Sequence, residues 1–111
     1  MQAFDIIDLI SQQKQEDKLY LEFLRVPSLS VGVYTLSAGD EDPQQPHSED
    51  EVYYIVSGQA HIQVGEEDQE VQAGSVIFVG AQVEHRFHSI TEDLSVLVFF
   101  APAEYSQQQN A

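Results

Sequence analysis

The sequence predicts an all-β sandwich or barrel preceded by one short helix. Short runs rich in β-branched and aromatic residues alternate between apolar and polar positions, and turn residues separate these runs at short, regular intervals. Four of the breaks are glycines, at Gly58, Gly65, Gly74 and Gly80. This spacing is typical of an all-β domain with roughly eight or nine short strands. The chain length of 111 residues fits a single domain over 1–111.

The helix and the strands each follow from local patterns. Apolar residues recur at helical spacing between residues 5 and 13, and Asp5 can cap the first turn. The barrel is expected over 18–101, and the polar C-terminal tail 102–111 is expected to fray. Strands are expected at 18–26, 29–38, 51–57, 59–64, 69–73, 76–79, 83–90 and 94–101.

The composition excludes several classes of function. The chain has 19 acidic and 4 basic residues and a net charge of −15, so neither nucleic acid nor an anionic membrane is expected as a partner. Cysteine is absent, which excludes disulfides, cysteine-ligated zinc, iron–sulfur clusters and cysteine nucleophiles. Neither a signal segment nor an apolar run of about 20 residues is seen, so a soluble, cytoplasmic protein is expected.

Four spaced residues, Gln45, His47, Glu51 and His85, predict a metal site. Two imidazoles and a carboxylate from distant segments can hold one divalent ion. His47 and Glu51 lie about 13 Å apart on a straight strand, which is too far for one ion with bonds of about 2.1 Å. The proline before them and the β-branched, aromatic run after them disfavour a helix, so a bend at 48–50 is expected.

His85 falls on the apolar face of its predicted strand. Val83 and Phe87 share this face by strand parity, and polar residues occupy the opposite face. An imidazole among apolar neighbours at the end of a strand is a good position for a ligand. Taken alone, His85 also fits a core histidine, and Glu51 also fits a surface acid.

The remaining histidines and most of the acidic residues are interpreted as solvent-facing. His61 and His88 are weaker candidates for a site and are expected to be solvated. The acidic stretches 40–42, 49–51 and 66–68 are expected to form solvated turns, because none has the ligand spacing of a calcium loop.

The metal-site residues resemble the first motif of the cupin family, which runs Gly-x5-His-x-His-x3 or 4-Glu-x6-Gly. This sequence has Gly39, Gln45, His47, Glu51 and Gly58 at the corresponding spacings. One ligand differs, because Gln45 stands where the family has its first histidine.

The second cupin motif runs Gly-x5-Pro-x-Gly-x2-His-x3-Asn, and this sequence matches it in part. Gly74 and His85 stand at the positions of its first glycine and its histidine. The proline, the second glycine and the asparagine are replaced by Gly80, Gln82 and Ser89. The resemblance implies a double-stranded β-helix, or jelly-roll barrel, behind the short N-terminal helix.

The resemblance also implies that His47, Glu51 and His85 are ligands. Gln45 either offers its amide oxygen, a poorer ligand than imidazole for iron, nickel or zinc, or hydrogen-bonds a metal-bound water. Two histidines and one carboxylate form the set of non-haem iron oxygenases and of some catalytic zinc sites. The expected cofactor is therefore a divalent transition metal, Fe, Mn, Zn or Ni, with its identity open.

A substrate pocket is expected beside the ion. Tyr53 shares strand parity with Glu51, and Phe87 shares it with His85, while Ile55 and Val83 continue the wall. For these four residues, plain core packing is an equal alternative. Since the chain has only four permanent cations, a highly charged anionic substrate is disfavoured unless the metal or Arg86 receives it.

Three functions are consistent with these features. The first is a metal-dependent dioxygenase or isomerase acting on a small oxygen-containing molecule, and the second is a non-catalytic cupin that binds a small ligand or metal as a sensor or storage module. The third is a barrel with an empty, degenerate site. The resemblance further implies a homodimer, with the strands around residues 19–33 as the contact surface.

Overall fold

The computed structural model describes residues 1–107 and shows a mainly antiparallel β fold with one helix. The helix α1 spans Ile6–Glu16. The strands of the described residues are β1 Tyr20–Val26, β2 Leu29–Leu36, β3 Asp50–Val64, β4 Glu67–Gln72, β5 Val76–Val79 and β6 His85–Ala101. They form one sheet in the order β1-β2-β6-β3-β4, and β5 also pairs with β3. The predicted all-β class is confirmed.

Two long strands, β3 and β6, replace the four short strands predicted over 51–64 and 83–101. They pair with each other from Asp50–Ala101 to Val64–His85. The buried positions of β3 are odd-numbered at Tyr53 and even-numbered at Ile62, so the alternation changes phase within one strand. In the sequence, this change in alternation predicted a break between two strands. In the structure, it is a β-bulge inside one continuous strand.

Gly58 lies at the centre of this bulge. Its φ angle is +103°, and the β3–β6 register shifts across it, between Ser57 and Gln59, as well as before it at Ile55/Ser57 and after it at Gln59/His61. A Cβ atom at this position would lie 2.4 Å from the carbonyl oxygen of Asp93. The glycine is therefore needed both for its backbone conformation and for the close approach of β6.

The bulges allow one sheet to curl around one core. Both halves of β3 contribute to the same hydrophobic cluster, through Tyr53 and Ile55 before the bulge and Ile62 after it. Phe87 and Phe100, from the two ends of β6, belong to the same cluster. The sheet therefore folds over itself and brings the start of β3 and the start of β6 to one end of the core.

The N-terminal helix follows its predicted signals. The Asp5 carboxylate accepts a hydrogen bond from the backbone N–H of Ile7 at 2.9 Å, which confirms the predicted N-cap. The helix continues three residues past the predicted end, because Gln13 is buried and its amide donates to the carbonyl oxygens of Leu19 and Val33. These bonds attach the helix to β1 and β2.

The expectation that the tail frays from Pro102 is wrong for 102–107, the part of the tail that the structure describes. Ala103 and Glu104 are buried, and the backbone N–H of Glu104 donates to Ser30 Oγ at 2.9 Å. The buried Glu49 carboxylate accepts from the backbone N–H groups of Tyr105 and Gln107. A buried acid fixes this segment, which the polar composition of the tail did not indicate. The predicted tail residues 108–111 lie outside the described residues.

Within residues 1–107, no helix is long and apolar enough to cross a membrane. The strand β1 lies at one edge of the sheet, where the predicted homodimer contact would form. The homodimer itself stays a prediction.

We predict that Gly58→Ala destabilises the protein more than Gly39→Ala. Both glycines have positive φ angles, but a Cβ on Gly39 meets no atom within 4 Å. The strained backbone alone should lower the free energy of unfolding by about 1–2 kcal/mol, and the clash at Gly58 should add about 1–3 kcal/mol. Urea unfolding of the two variants measures the difference, and equal losses would contradict a close β3–β6 approach at the bulge.

Candidate metal centre

Three segments meet where the sheet folds over itself: the end of the loop that carries His47, the start of β3, and the loop that leads into β6. The chain bends at Ser48–Glu49, as the metal-site spacing predicted, and β3 starts directly after the bend. The carbonyl oxygen of His47 accepts from the backbone N–H of Gln82 at 2.7 Å, and Asp50 Oδ1 accepts from the backbone N–H of Ala81 at 2.8 Å. These bonds hold the bend against the loop that leads into β6.

Asp42 anchors the loop between β2 and β3, which also carries His47. Its carboxylate accepts from the Tyr34 hydroxyl at 2.5 Å, from the backbone N–H of Phe87 at 2.9 Å and from the amide of Gln44. The interpretation of 40–42 as a purely solvated turn is therefore wrong at Asp42. It is also wrong at Glu49 and Glu51, which are buried. These acids hold the loop and the site, a role that their position in acidic stretches concealed.

The predicted ligands His47, Glu51 and His85 converge. Glu51 Oε1 lies 3.3 Å from His47 Nδ1 and 2.9 Å from His85 Nε2. All these atoms are buried, yet neither they nor Glu51 Oε2 have a hydrogen-bond partner of acceptable geometry within residues 1–107. Buried polar groups without partners are costly, so an ion placed among them would satisfy all four atoms at once.

The outer nitrogens of both histidines face acceptors. His85 Nδ1 lies 2.9 Å from the carbonyl oxygen of Val83, and His47 Nε2 lies 3.1 Å from Glu104 Oε2. When the imidazoles are neutral, an N–H on each outer nitrogen donates to these oxygens and leaves the inner nitrogen with a free lone pair. This is the arrangement in which metal-binding histidines are oriented by a second partner. The residues present therefore fit a divalent transition metal.

Residues 32–100 match the family model described as "Cupin domain". The chain belongs to the cupin family. This cupin is 51% identical over 104 residues to the Streptomyces coelicolor protein named "Uncharacterized protein SCO3923", a match that covers 94% of this chain and 99% of that protein.

Solved structures show the same fold. TT1209 from Thermus thermophilus matches with a TM-score of 0.75 and 22% identity, over 93% of this chain and 99% of that chain. An RmlC-like cupin with a double-stranded β-helix fold from Methanocaldococcus jannaschii matches with a TM-score of 0.69 and 16% identity, over 77% and 80% of the two chains. The predicted jelly-roll barrel is confirmed.

Charge in the centre is balanced between the imidazoles and the carboxylate. Burial opposes a positive charge on His47, but the neighbouring carboxylates of Glu104 and Glu51 outweigh it and raise the pKa of His47 to about 9. Burial also lowers the pKa of His85, but the Glu51 carboxylate and the Val83 carbonyl oxygen outweigh it, so that the pKa of His85 is raised. The pKa of Glu51 is lowered, because the two imidazoles overcome the effect of burial.

Two cavities of this cupin flank the ligands. The larger, about 550 Å³, is lined by His47 and Glu104 together with the aromatic side chains of Tyr20, Tyr34 and Phe100. The smaller, about 360 Å³, is lined by His85 and Arg86 among others. The loop residues 44–46 line both cavities and separate them.

The other predicted site residues lie around this centre. Gln45 is exposed and lines both cavities, and its role as a ligand stays a prediction. Tyr53, Ile55 and Phe87 belong to the buried core, with the Tyr53 ring 6.0 Å from that of His85. Val83 is half-buried in the loop before β6. Other residues line the two cavities beside the predicted ligands, so a substrate pocket at Tyr53, Ile55, Phe87 and Val83 also stays a prediction.

Sequence reasoning missed Glu104 and Tyr20. Glu104 lies in the tail expected to fray and reaches His47 because Ser30, Arg25 and the buried Glu49 hold the backbone around it. No spacing in the sequence links residue 104 to residue 47. Tyr20 sits in an alternating strand, and its half-buried position on the cavity wall required the three-dimensional structure.

We predict that metal affinity rises with pH up to about 9. The raised pKa of His47 means that the metal-free site holds a proton at neutral pH, which the metal must displace. The apparent affinity should rise about tenfold per pH unit for each proton released. Isothermal titration calorimetry of Zn²⁺ binding, in buffers of different ionisation enthalpy, measures the proton release.

The raised pKa of His47 also makes the stability of the metal-free protein depend on pH, in the direction opposite to metal affinity. A raised histidine pKa stabilises the fold below the ordinary value of 6.5, and this contribution is lost as the pH rises through about 9. The melting temperature of metal-free protein should therefore fall over the window in which metal affinity rises. An affinity independent of pH would contradict a protonated His47.

We predict that Glu104→Ala weakens metal binding by about 10–100-fold, the usual cost of losing a partner that orients a ligand. Glu104→Gln, which keeps an acceptor oxygen, should lose less. The backbone bonds of residue 104 to Ser30 and Arg25 do not involve the side chain, so the tail should stay in place. Competition with a chelator gives the affinity. Glu66→Gln, an exposed acid, is the control for charge, and an equal loss there would exclude a specific role for Glu104.

Proposed function

We propose that this cupin is a metal-dependent enzyme that acts on a small, uncharged, oxygen-containing molecule, with dioxygenase chemistry first and isomerisation second. The observation that carries the proposal is the convergence of unpartnered buried atoms of His47, Glu51 and His85 beside a cavity of about 550 Å³. A set of two histidines and one carboxylate leaves open coordination positions, as in non-haem iron oxygenases.

The larger cavity supports the choice of substrate class. Of the described residues that line it, none is a lysine or an arginine, while Glu104 contributes a carboxylate. An anionic substrate would therefore meet the Glu104 carboxylate with no lysine or arginine to pair with, and only the metal or a protonated His47 could receive it. The walls include the aromatic side chains of Tyr20, Tyr34 and Phe100, which suit a compact molecule with apolar faces.

Tyr20 supports a role in holding the substrate. Its hydroxyl is buried without a hydrogen-bond partner within residues 1–107, and the side chain lines the larger cavity. Burial, followed by the nearby Glu104 and Glu22, raises the pKa of Tyr20, so the phenol stays protonated and remains a donor. An oxygen atom of a bound molecule would supply the missing acceptor.

The protein residues would divide the remaining tasks. A bound divalent metal would supply Lewis acidity or oxygen activation at its open positions. Glu104 accepts the Nε2 proton of His47 and keeps the inner nitrogen free to bind. Glu104 and Tyr105, in the turn whose backbone Glu49 holds, form part of the cavity wall.

A non-catalytic cupin is the second candidate, and Gln45 is the observation that favours it. This residue replaces the family's first histidine and is exposed, so the described ligand set has three members. A protein with this site could bind a small ligand or a metal as a sensor or storage module without turning it over.

Oxygen uptake tests the proposal. Iron-loaded protein is mixed with a panel of diketones, thiols and phenols, and oxygen consumption and products are followed. We expect uptake with at least one uncharged compound, loss of activity in His85→Ala, and a raised KM in Tyr20→Phe. The products are also checked for isomers formed without oxygen.

Two outcomes oppose the enzyme proposal. Protein that binds iron and a panel compound tightly, yet forms no product, supports the non-catalytic candidate. Protein in which His85→Ala binds metal as well as the wild type places the metal elsewhere and rejects the centre itself.

A further inference from the structure

The four histidines of the chain fall into two pairs. His47 and His85 belong to the buried centre, whereas His61 and His88 lie together on the outside of the sheet with Asp68. The sequence predicts the latter two histidines to be solvated, and their side chains are 44% and 26% exposed. The structure also places their rings 5.3 Å apart, which the sequence did not indicate.

The strand register brings this outer cluster together. His61 on β3 is paired directly with His88 on β6, and its neighbour Gln63 is paired with Asp68 on β4. The adjacent pair, Ile62 and Phe87, points into the core, so the histidines face outward. Three strands therefore each contribute one side chain to the same patch, and backbone hydrogen bonds fix their spacing.

The distances match a metal site. Asp68 Oδ1 lies 3.2 Å from His61 Nδ1, and Asp68 Oδ2 lies 2.6 Å from His88 Nε2. One ligand atom from each residue can be chosen so that all three lie within 4.8 Å of one another. Ligand atoms bound at about 2.1 Å to one ion are separated by roughly 3–4 Å, so small rotations of these side chains would suffice.

The surroundings also favour a cation. His88 Nδ1 lies 3.0 Å from Ser89 Oγ, so the outer nitrogen of this histidine has a partner that can orient the ring. Glu70 is paired directly with His61 on β4 and can provide a further carboxylate on the same face. Arg86, two residues before His88 on the same face of β6, is a positive charge that opposes a bound cation, but its side chain is exposed to solvent.

We propose that His61, Asp68 and His88 form a second metal site, on the outer face of β3, β4 and β6, for a divalent transition metal that accepts imidazole, such as Zn²⁺, Ni²⁺ or Cu²⁺. This site is separate from the proposed catalytic centre and does not depend on it. Because its ligands are partly exposed, the ion retains water at its open positions and binds more weakly than an ion in the buried centre.

The site would also tie three strands together. A metal that binds only the folded sheet stabilises it by mass action.

The alternative to a metal site is a surface network in which the Asp68 carboxylate accepts hydrogen bonds from both histidines. That network requires no metal, so the two interpretations differ in stoichiometry and in which histidines respond.

Zn²⁺ titration of the metal-free, full-length protein tests the proposal. Calorimetry should give two equivalents, and carbon–proton NMR spectra of the imidazoles should assign them. We expect two of the four histidine signals, those of His47 and His85, to shift with the first equivalent. The signals of His61 and His88 should shift with the second.

Matched variants assign the two equivalents. His61→Gln and His88→Gln should each weaken the second equivalent at least about tenfold and leave the first unchanged, while His85→Gln should do the reverse. Circular dichroism confirms that each variant is folded. Since the outer histidines are not in the core, these two substitutions should leave the fold intact.

The outcomes separate this proposal from the proposed function. A wild type that binds one equivalent, lost only in His85→Gln, overturns the outer site and leaves the buried centre standing. A second equivalent that persists in both outer variants shows adventitious binding and also overturns it. Binding lost only in the outer variants supports the outer site while rejecting the buried centre.

Discussion

The buried carboxylate of Glu51 is the constraint on which the rest of the structure depends. A charge at 2% exposure must be compensated, and here two imidazoles face it. These imidazoles come from segments almost forty positions apart, so the compensation requires the sheet to close. With a metal bound, the same three side chains become ligands, and the unpartnered atoms acquire a partner.

The closure of the sheet has its own physical cause. In β3, the inward face switches from odd to even positions across Gly58, and in β6 it switches between Phe87 and Ile90, next to the positive φ angle of Ser89. Each switch is a bulge that increases local twist and bends the strand. A long, bent strand can therefore bring both of its ends to the candidate metal centre, and in β6 the rings of His85 and Phe100 lie 5.6 Å and 4.8 Å from that of His47.

Two acids, the buried Glu49 and the half-buried Asp42, connect separate segments of this protein. Glu49 holds the C-terminal turn, and Asp42 holds the loop that carries the first ligand. Each accepts several charge-assisted hydrogen bonds, which are stronger than neutral ones and compensate for burial. The strongly acidic composition is thus not only a surface property, and part of it determines where His47 and Glu104 lie.

The sequence alone determined the fold class, the helix cap, the bend at 48–50 and the three side chains that converge in the candidate metal centre, because alternation, capping and motif spacing are local signals. Only the tertiary structure decided that four predicted strands are two, that Glu104 contacts His47, and that His61 meets His88 and Asp68. These features depend on strand register and on hydrogen bonds between remote segments, and a bulge shifts register without a distinctive sequence signal. Local pattern specifies the elements, whereas the pairing of the elements specifies which side chains orient the ligands and which form the outer cluster.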